Sequence, residues 1–236
     1  MKKIIAILLS ILIVLSLAAC GASESTPTEK AEETKAVETT AAPRNDTETA
    51  QQVDTSAPEN GEKVLVVYFS ANNYSDVDTV SSATPMIDGV SATELIAQKI
   101  HDTVDGEIAP IIPAEDYPTG YDEVADQAKN ERDNGDRPAF TLSVDPTEYD
   151  TIFIGYPIWW YEMPMVMDTF FETYDFSGKT IIPFNTHAGS RDGGTYDDIR
   201  DLEPNATVLD GYNVTGGTDK ATVDSEVESW LSGLGY

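Results

Sequence analysis

Three short segments of this chain carry residue types that could bind a flat, polar ligand. PIWWY (157–161) is apolar and aromatic, although connections between elements are normally polar and exposed. SANN (70–73) offers hydroxyl and amide groups without charge, and NTHAGSRDGG (185–194) is small, polar and contains three glycines. The aromatic segment could instead plug the end of a core. Together, the three segments match the needs of a phosphorylated flat heteroaromatic molecule.

These segments are predicted to meet, because each directly follows a predicted strand. KVLVVYF (63–69), TIFIGY (151–156) and KTIIPFN (179–185) are apolar almost throughout. Strands of this kind are buried on both faces, which indicates a parallel sheet covered by helices. The carboxyl ends of parallel strands lie at one edge, and ligands bind there where the strand order reverses.

The remaining segments alternate between strand and helix patterns. Further strands are predicted at 107–113, where Pro110 suits an edge, and at 207–214. Helices are predicted at 92–104, 121–135, 163–174 (with Pro164 in the first turn), around 196–202, and at 221–231. This alternation predicts an α/β fold with a doubly wound, five-stranded parallel sheet.

The N-terminus resembles a bacterial lipoprotein signal peptide. Lys2 and Lys3 precede an apolar run, which ends in Leu17, two alanines and Cys20. An uncleaved transmembrane helix is the alternative, but the run is short for a bilayer span. We therefore expect a signal peptide over residues 1–20 and an exported protein, lipid-anchored through Cys20 to the outer face of the cytoplasmic membrane.

The next segment, 21–62, contains no aromatic residue, leucine or isoleucine. Such a composition cannot bury enough apolar surface to offset chain entropy, so a disordered linker is predicted. A linker of this length would space a domain about 35 Å from its anchor. The folded domain is predicted to occupy residues 63–236.

Composition excludes several function classes. The formal net charge is −28, from 42 acidic and 14 basic residues, so nucleic acid is not expected as a partner and the membrane is expected only through Cys20. The single cysteine and two separated histidines predict no metal site. The segment around Ser190 lacks the G-x-S-x-G spacing of a hydrolase nucleophile.

From Lys63 to the C-terminus the sequence resembles the flavodoxin family. The resemblance rests on YFSANN, IGYPIWW, PFNTHAGSRDGG and the stretch EDYPTGYDEVADQAKNERDNGDRPAF, in this order along the chain. It implies FMN as the cofactor and the strand order 2-1-3-4-5. One departure is an insertion of about twenty residues, from Asn72 to Val90, before Ser91-Ala92-Thr93, where the family has a Gly-Asn-Thr type of sequence.

The resemblance also implies roles for individual residues. A split phosphate site would use Ser70, Asn72, Asn73, Ser91 and Thr93, with help from the helix N-terminus. The backbone of Tyr156, Pro157, Ile158 and Trp159 would lie beside the redox-active nitrogen of the flavin. Trp159 or Trp160, with Trp159 preferred, would cover one face of the ring. Thr186, His187, Gly189 and Ser190 would line its pyrimidine side, with His187 as a proton donor or, preferably, a wall residue.

Three functions fit these expectations. The preferred one is electron transfer to a redox partner protein or a small-molecule acceptor. The second is an FMN-dependent reductase of NAD(P)H or quinone, although no fingerprint for either substrate is present. The third is a binding domain that has kept the fold and lost the flavin, which the Ser91-Ala92-Thr93 departure would favour. The sequence leaves open whether the protein is an enzyme.

Overall fold

The computed structural model describes residues 61–71, the backbone of 86–87, and residues 90–118 and 120–236. The predicted signal peptide with Cys20, nearly all of the predicted linker, and Asn72 and Asn73 lie outside the described residues. Most of the predicted insertion does so too. Among the residues that the structure describes, no helix has the length and apolar character needed to cross a membrane.

The elements alternate along the chain as the sequence predicts. The strands are β1 (Val64–Phe69), β2 (Met86–Ile87), β3 (Val90–Ser91), β4 (Glu107–Pro113), β5 (Phe140–Thr141), β6 (Thr151–Pro157), β7 (Thr180–His187), β8 (Thr207–Val208) and β9 (Tyr212–Thr215). The helices are α1 (Ala92–Val104), α2 (Tyr121–Asn134), α3 (Met165–Thr173), α4 (Thr195–Leu202) and α5 (Lys220–Leu234), with a 3-10 turn at Pro146–Glu148.

The main sheet confirms the predicted doubly wound topology. Its order is β5-β4-β1-β6-β7, with β8 and β9 both paired to the outer side of β7. All pairings are parallel except that of β4 with the two-residue β5. In terms of the five predicted strands, this is the order 2-1-3-4-5. The short β2 and β3 form a separate antiparallel pair just before α1.

The fifth predicted strand is broken in two, and the register explains why. Ile181 pairs with Val208 but Phe184 pairs with Tyr212, so one extra residue lies between β8 and β9. This is the geometry of a β-bulge. Gly211 lies in the bulge, where a Cβ atom would sit 2.4 Å from the carbonyl oxygen of Pro183. The close approach of the two backbones therefore requires glycine at this position.

Helices cover both faces of the sheet, which is why its central strands β1 and β6 are buried along their whole length. Leu65, Val67 and Phe69 of β1 face a cluster with residues from α2, α3 and α4. Val64, Val66 and Tyr68, which alternate with them, face a cluster with residues from α1 and α5. Each fully buried aliphatic or aromatic side chain contributes about 1.5–3 kcal/mol to stability. The two clusters hold the carboxyl edge of the sheet in place.

Candidate functional site

Four hydroxyl groups form two hydrogen-bonded pairs where β1 and β7 end and α1 begins. The Ser91 side chain caps α1 by accepting a hydrogen bond from the Glu94 N–H at 3.0 Å. Ser70, at the end of β1, donates to the Ser91 hydroxyl at 2.6 Å. The two serines that the sequence assigns to a split phosphate site are therefore adjacent, although they are 21 positions apart in the sequence.

Thr93 and Thr186 extend this cluster from α1 to β7. Their hydroxyl oxygens lie 2.9 Å apart, and both residues are fully buried. None of these four side chains carries a charge. The N-terminus of α1 supplies backbone N–H groups beside these hydroxyls and the positive end of a helix dipole. The arrangement is suited to an anion that is bound by neutral donors.

A tight, strained turn follows β6. The N–H groups of Trp159 and Glu162 each donate to the other residue's carbonyl, both at 3.0 Å. The central residues, Trp160 and Tyr161, have φ values of 53° and 69°. A two-residue turn with positive φ at both central positions normally takes Asn, Asp or Gly, so bulky side chains here are strained. Strain of this kind concentrates at functional sites.

The two adjacent tryptophans have opposite environments. Trp159 is only 6% exposed, and its ring packs edge-on against Phe69 and Tyr117, with centroids 5.4 and 5.2 Å away. Its indole N–H is buried and has no partner in the part of the chain that the structure describes. Trp160 is 44% exposed, and Tyr161 is 72% exposed. Open aromatic surface at this edge therefore comes from the central residues of the turn.

A buried side-chain amide anchors the segment 185–194 to the end of β7. Asn185 is fully buried; it donates to the Arg191 carbonyl at 3.0 Å and accepts from the Tyr196 hydroxyl at 2.6 Å. Tyr156 hydrogen-bonds Thr195 beneath the same loop, and burial raises the pKa of the Tyr156 phenol. The loop that carries Gly189 and Ser190 is thus fixed at its base, while Gly189 itself is exposed.

His187 uses both ring nitrogens inside the protein. Nδ1 accepts from the Gly189 N–H at 2.9 Å, so Nε2 carries the proton and donates to Oδ1 of Asn213 at 3.2 Å. The residue is 5% exposed, and burial lowers the pKa of its imidazole. A neutral, fully engaged ring favours the interpretation of His187 as a wall residue over that of a proton donor.

Acidification is expected to destabilise the fold through His187. Its pKa is lower in the folded state than in the unfolded state, so the unfolded chain binds more protons as pH falls through about 6.5. The slope from this group is at most about 1.4 kcal/mol per pH unit. Urea unfolding between pH 8 and pH 5 should show a shallower dependence in His187→Gln than in the wild type. Equal slopes would contradict this role.

Gly193 packs the third segment against the strained turn. A Cβ atom there would lie 2.6 Å from the Tyr161 carbonyl oxygen, and φ is +66°. Gly178 has a similar φ of +77° but no atom within 4 Å of a Cβ. We therefore expect Gly193→Ala to lose about 1–3 kcal/mol more unfolding free energy than Gly178→Ala, because both share the backbone strain and only one has the clash. Equal losses of unfolding free energy in the two variants, measured by urea unfolding, would show that Gly193 and the Tyr161 carbonyl are not tightly packed.

The structure brings most of the predicted site residues to one edge. Ser70, Ser91, Thr93 and Thr186 form one cluster, and Tyr156, Pro157, Ile158, Trp159 and Trp160 border it with His187, Gly189 and Ser190. The Ile158 N–H donates to the Thr186 carbonyl at 2.8 Å, which joins the aromatic segment (157–161) directly to the segment 185–194. Sequence reasoning missed Tyr117. It placed Asn185 in the segment 185–194 but assigned it no role of its own, although a buried amide at the end of an apolar strand could have indicated one.

Comparison with known proteins agrees with this architecture. Residues 63–232 match the family model described as Flavodoxin. A protein assigned as a flavoprotein from Bacteroides uniformis is 30% identical, with a TM-score of 0.56 over 72% of this chain and 99% of its own. A second, from Bacteroides eggerthii, is 28% identical, with a TM-score of 0.55 over 74% and 99%.

A more distant structure shares the fold. It is a flavoprotein in complex with FMN from Lactobacillus acidophilus, 20% identical, with a TM-score of 0.52 over 72% of this chain and 99% of its own. No curated protein sequence matches the chain.

Proposed function

Because this chain belongs to the flavodoxin family, we propose that it binds FMN at the carboxyl edge of its sheet and transfers electrons. The observation that carries the proposal is the convergence of three features at that edge. They are the neutral hydroxyl cluster at the start of α1, the aromatic turn after β6, and the loop anchored by Asn185. The FMN complex of the Lactobacillus acidophilus protein, which has the same fold, supports the choice of flavin.

The donor set fits a phosphate group. Ser70, Ser91 and Thr93 would hold it together with the N–H groups at the start of α1, which bind phosphate without a cationic side chain. The backbone of Asn72 and Asn73, outside the described residues, remains a predicted part of this site. The two threonine hydroxyls at 2.9 Å would exchange their mutual hydrogen bond for one to the ligand.

The aromatic turn fits a flavin ring. A buried donor without a partner costs about 1–3 kcal/mol, and the indole N–H of Trp159 is such a donor. A ligand acceptor would remove that cost. Trp160 is the better candidate to cover the ring, because 44% of its surface is open against 6% for Trp159. Thr186, His187, Gly189 and Ser190 would line the pyrimidine side.

FMN would supply the redox chemistry at this site. The residues of the chain would bind and orient it, and the buried rings of Trp159, Phe69 and Tyr117 would exclude water from below. The formal charge of −28 would disfavour further negative charge in the site and so lower the reduction potential.

Electron transfer and reductase activity can be separated experimentally. The FMN-loaded protein would be reduced by dithionite without oxygen and then mixed with cytochrome c as an electron acceptor. A carrier predicts stoichiometric reduction of the cytochrome and no rapid reduction of the flavin by NADH or NADPH. Rapid, catalytic oxidation of either nicotinamide would favour the reductase instead. A protein that takes up no FMN would favour the flavin-free binding domain.

We further propose that the protein is exported and held at the outer face of the cytoplasmic membrane through lipidated Cys20, with 21–62 as a spacer. The support is the sequence pattern of Lys2, Lys3, the apolar run and the small residues before Cys20. Cys20→Ser should move the protein from the membrane fraction to the soluble fraction and abolish labelling by radioactive palmitate. Unchanged membrane association would contradict the anchor.

A further inference from the structure

We propose that Arg132 of α2 is a positioning residue that holds the Trp159–Glu162 turn in the conformation that faces the ligand. The inference rests on the proposed function for the identity of that ligand, FMN. It assigns a role to a helix that belongs to none of the three edge segments.

The two hydrogen bonds within the turn are opposed by strain in its backbone. Trp160 and Tyr161 both adopt the left-handed region, with φ of 53° and 69°, which is unfavourable for bulky residues. Such a conformation persists only where its surroundings stabilise it. The residues packed around the turn must therefore make contacts that favour this strained conformation over one with relaxed φ values.

Helix α2 supplies contacts to Trp160 from two positions. The Trp160 indole N–H donates to the Ala125 carbonyl at 2.9 Å, so the ring lies along the helix. The Arg132 guanidinium carbon lies 5.7 Å from the centroid of this ring, within the range of a cation–π interaction. Its Nη1 atom also lies 3.5 Å from the Trp160 carbonyl oxygen, at the long limit of a hydrogen bond.

Arg132 is itself fixed in place. Its Nε and Nη2 atoms donate to Oδ1 of Asp133 at 3.1 and 2.7 Å. The opposite side of the turn is closed by Gly193, which leaves no room for a Cβ atom beside the Tyr161 carbonyl. The turn is thus clamped between α2 and the third segment. Removing the guanidinium takes away one of the two α2 contacts, so that only the hydrogen bond to the Ala125 carbonyl keeps Trp160 in place.

The test compares Arg132→Gln with Arg132→Lys and with a matched control, Arg137→Gln. Arg137 follows α2 and bonds Glu172 and the Gly135 and Asp136 carbonyls, so its loss should not reach the turn. Two quantities are measured: the exchange of indole N–H protons with water, by NMR of the FMN-free protein, and the Kd for FMN. The chain has three tryptophans, and the indole of Trp230 serves as an internal reference.

Arg132→Gln should shift the Trp160 indole signal, speed its exchange, and raise the Kd for FMN by about fivefold to thirtyfold. Arg132→Lys, which keeps a cation, should recover part of both effects. Arg137→Gln should change neither, even if it lowers the unfolding midpoint. The proposal is overturned if Arg132→Gln leaves the Trp160 indole unchanged, or if the indole changes while the affinity for FMN does not. If the wild type binds no FMN, the proposed function fails, and indole exchange alone still decides whether Arg132 holds the turn.

Discussion

Replacing Trp159 with alanine is expected to lower the free energy of unfolding by about 3–5 kcal/mol, whereas Trp160→Ala should cost about 1 kcal/mol. The difference follows from burial, because Trp159 is 6% exposed and packs on Phe69 and Tyr117. Trp160 is 44% exposed and makes one hydrogen bond and one cation–π contact through its side chain. Urea unfolding of the two variants measures both values.

The loss of affinity for FMN should follow the reverse order, with the larger loss on substitution of Trp160. Loss of a stacking aromatic ring costs about 1–3 kcal/mol, so Trp160→Ala should raise the Kd for FMN by about fivefold to 150-fold. Trp159→Phe is the matched comparison, since phenylalanine keeps most of the buried packing. An unchanged Kd in Trp160→Ala would show that the assignment of Trp160 is wrong and would favour Trp159, which the sequence suggested, as the residue that covers the ring.

Thr93→Val is expected to raise the Kd for FMN by about tenfold to 150-fold. A hydrogen bond to a charged group contributes about 1.5–3 kcal/mol, and valine has nearly the same volume as threonine without the hydroxyl. The change also leaves the buried Thr186 hydroxyl without its partner at 2.9 Å. Isothermal titration of the FMN-free protein measures the effect.

Riboflavin, which lacks the phosphate, separates a phosphate contact from a general loss of structure. The penalty of Thr93→Val should appear with FMN and largely vanish with riboflavin. Thr169→Val is the control, because the Thr169 hydroxyl donates to the Met165 carbonyl within α3. Equal penalties with both flavins would contradict the placement of the phosphate beside Thr93.

Local patterns in the sequence were sufficient to predict those helices and strands whose first or last residues are of a type that favours a boundary, such as a capping serine or a glycine. The bounds of α1 and β4 match the prediction, and α2 ends at Asn134, directly before Gly135, whose φ of 65° favours glycine. The break between β8 and β9 could not be predicted, because it depends on one extra residue opposite Pro183 of β7. Pairing across strands has no signature in either strand alone.

The candidate site likewise has parts that the sequence predicts and parts that it does not. The hydroxyl cluster was predictable, since Ser91 and Thr93 begin a helix and Ser70 ends a strand. Which of two adjacent tryptophans is buried was not, because this depends on positive φ values at Trp160 and Tyr161. The position of Arg132 over Trp160 was also hidden, since 28 residues separate them and the contact arises only when α2 packs beside the turn.

The most direct test of the central claim is the visible absorption spectrum of the purified protein before and after addition of FMN. The account predicts a flavin spectrum that co-purifies with the protein or develops at one FMN per chain, with quenched flavin fluorescence. A protein that stays colourless and leaves the fluorescence of added FMN unchanged would contradict it. The aromatic turn would then be a packing element or a partner surface on a flavodoxin fold.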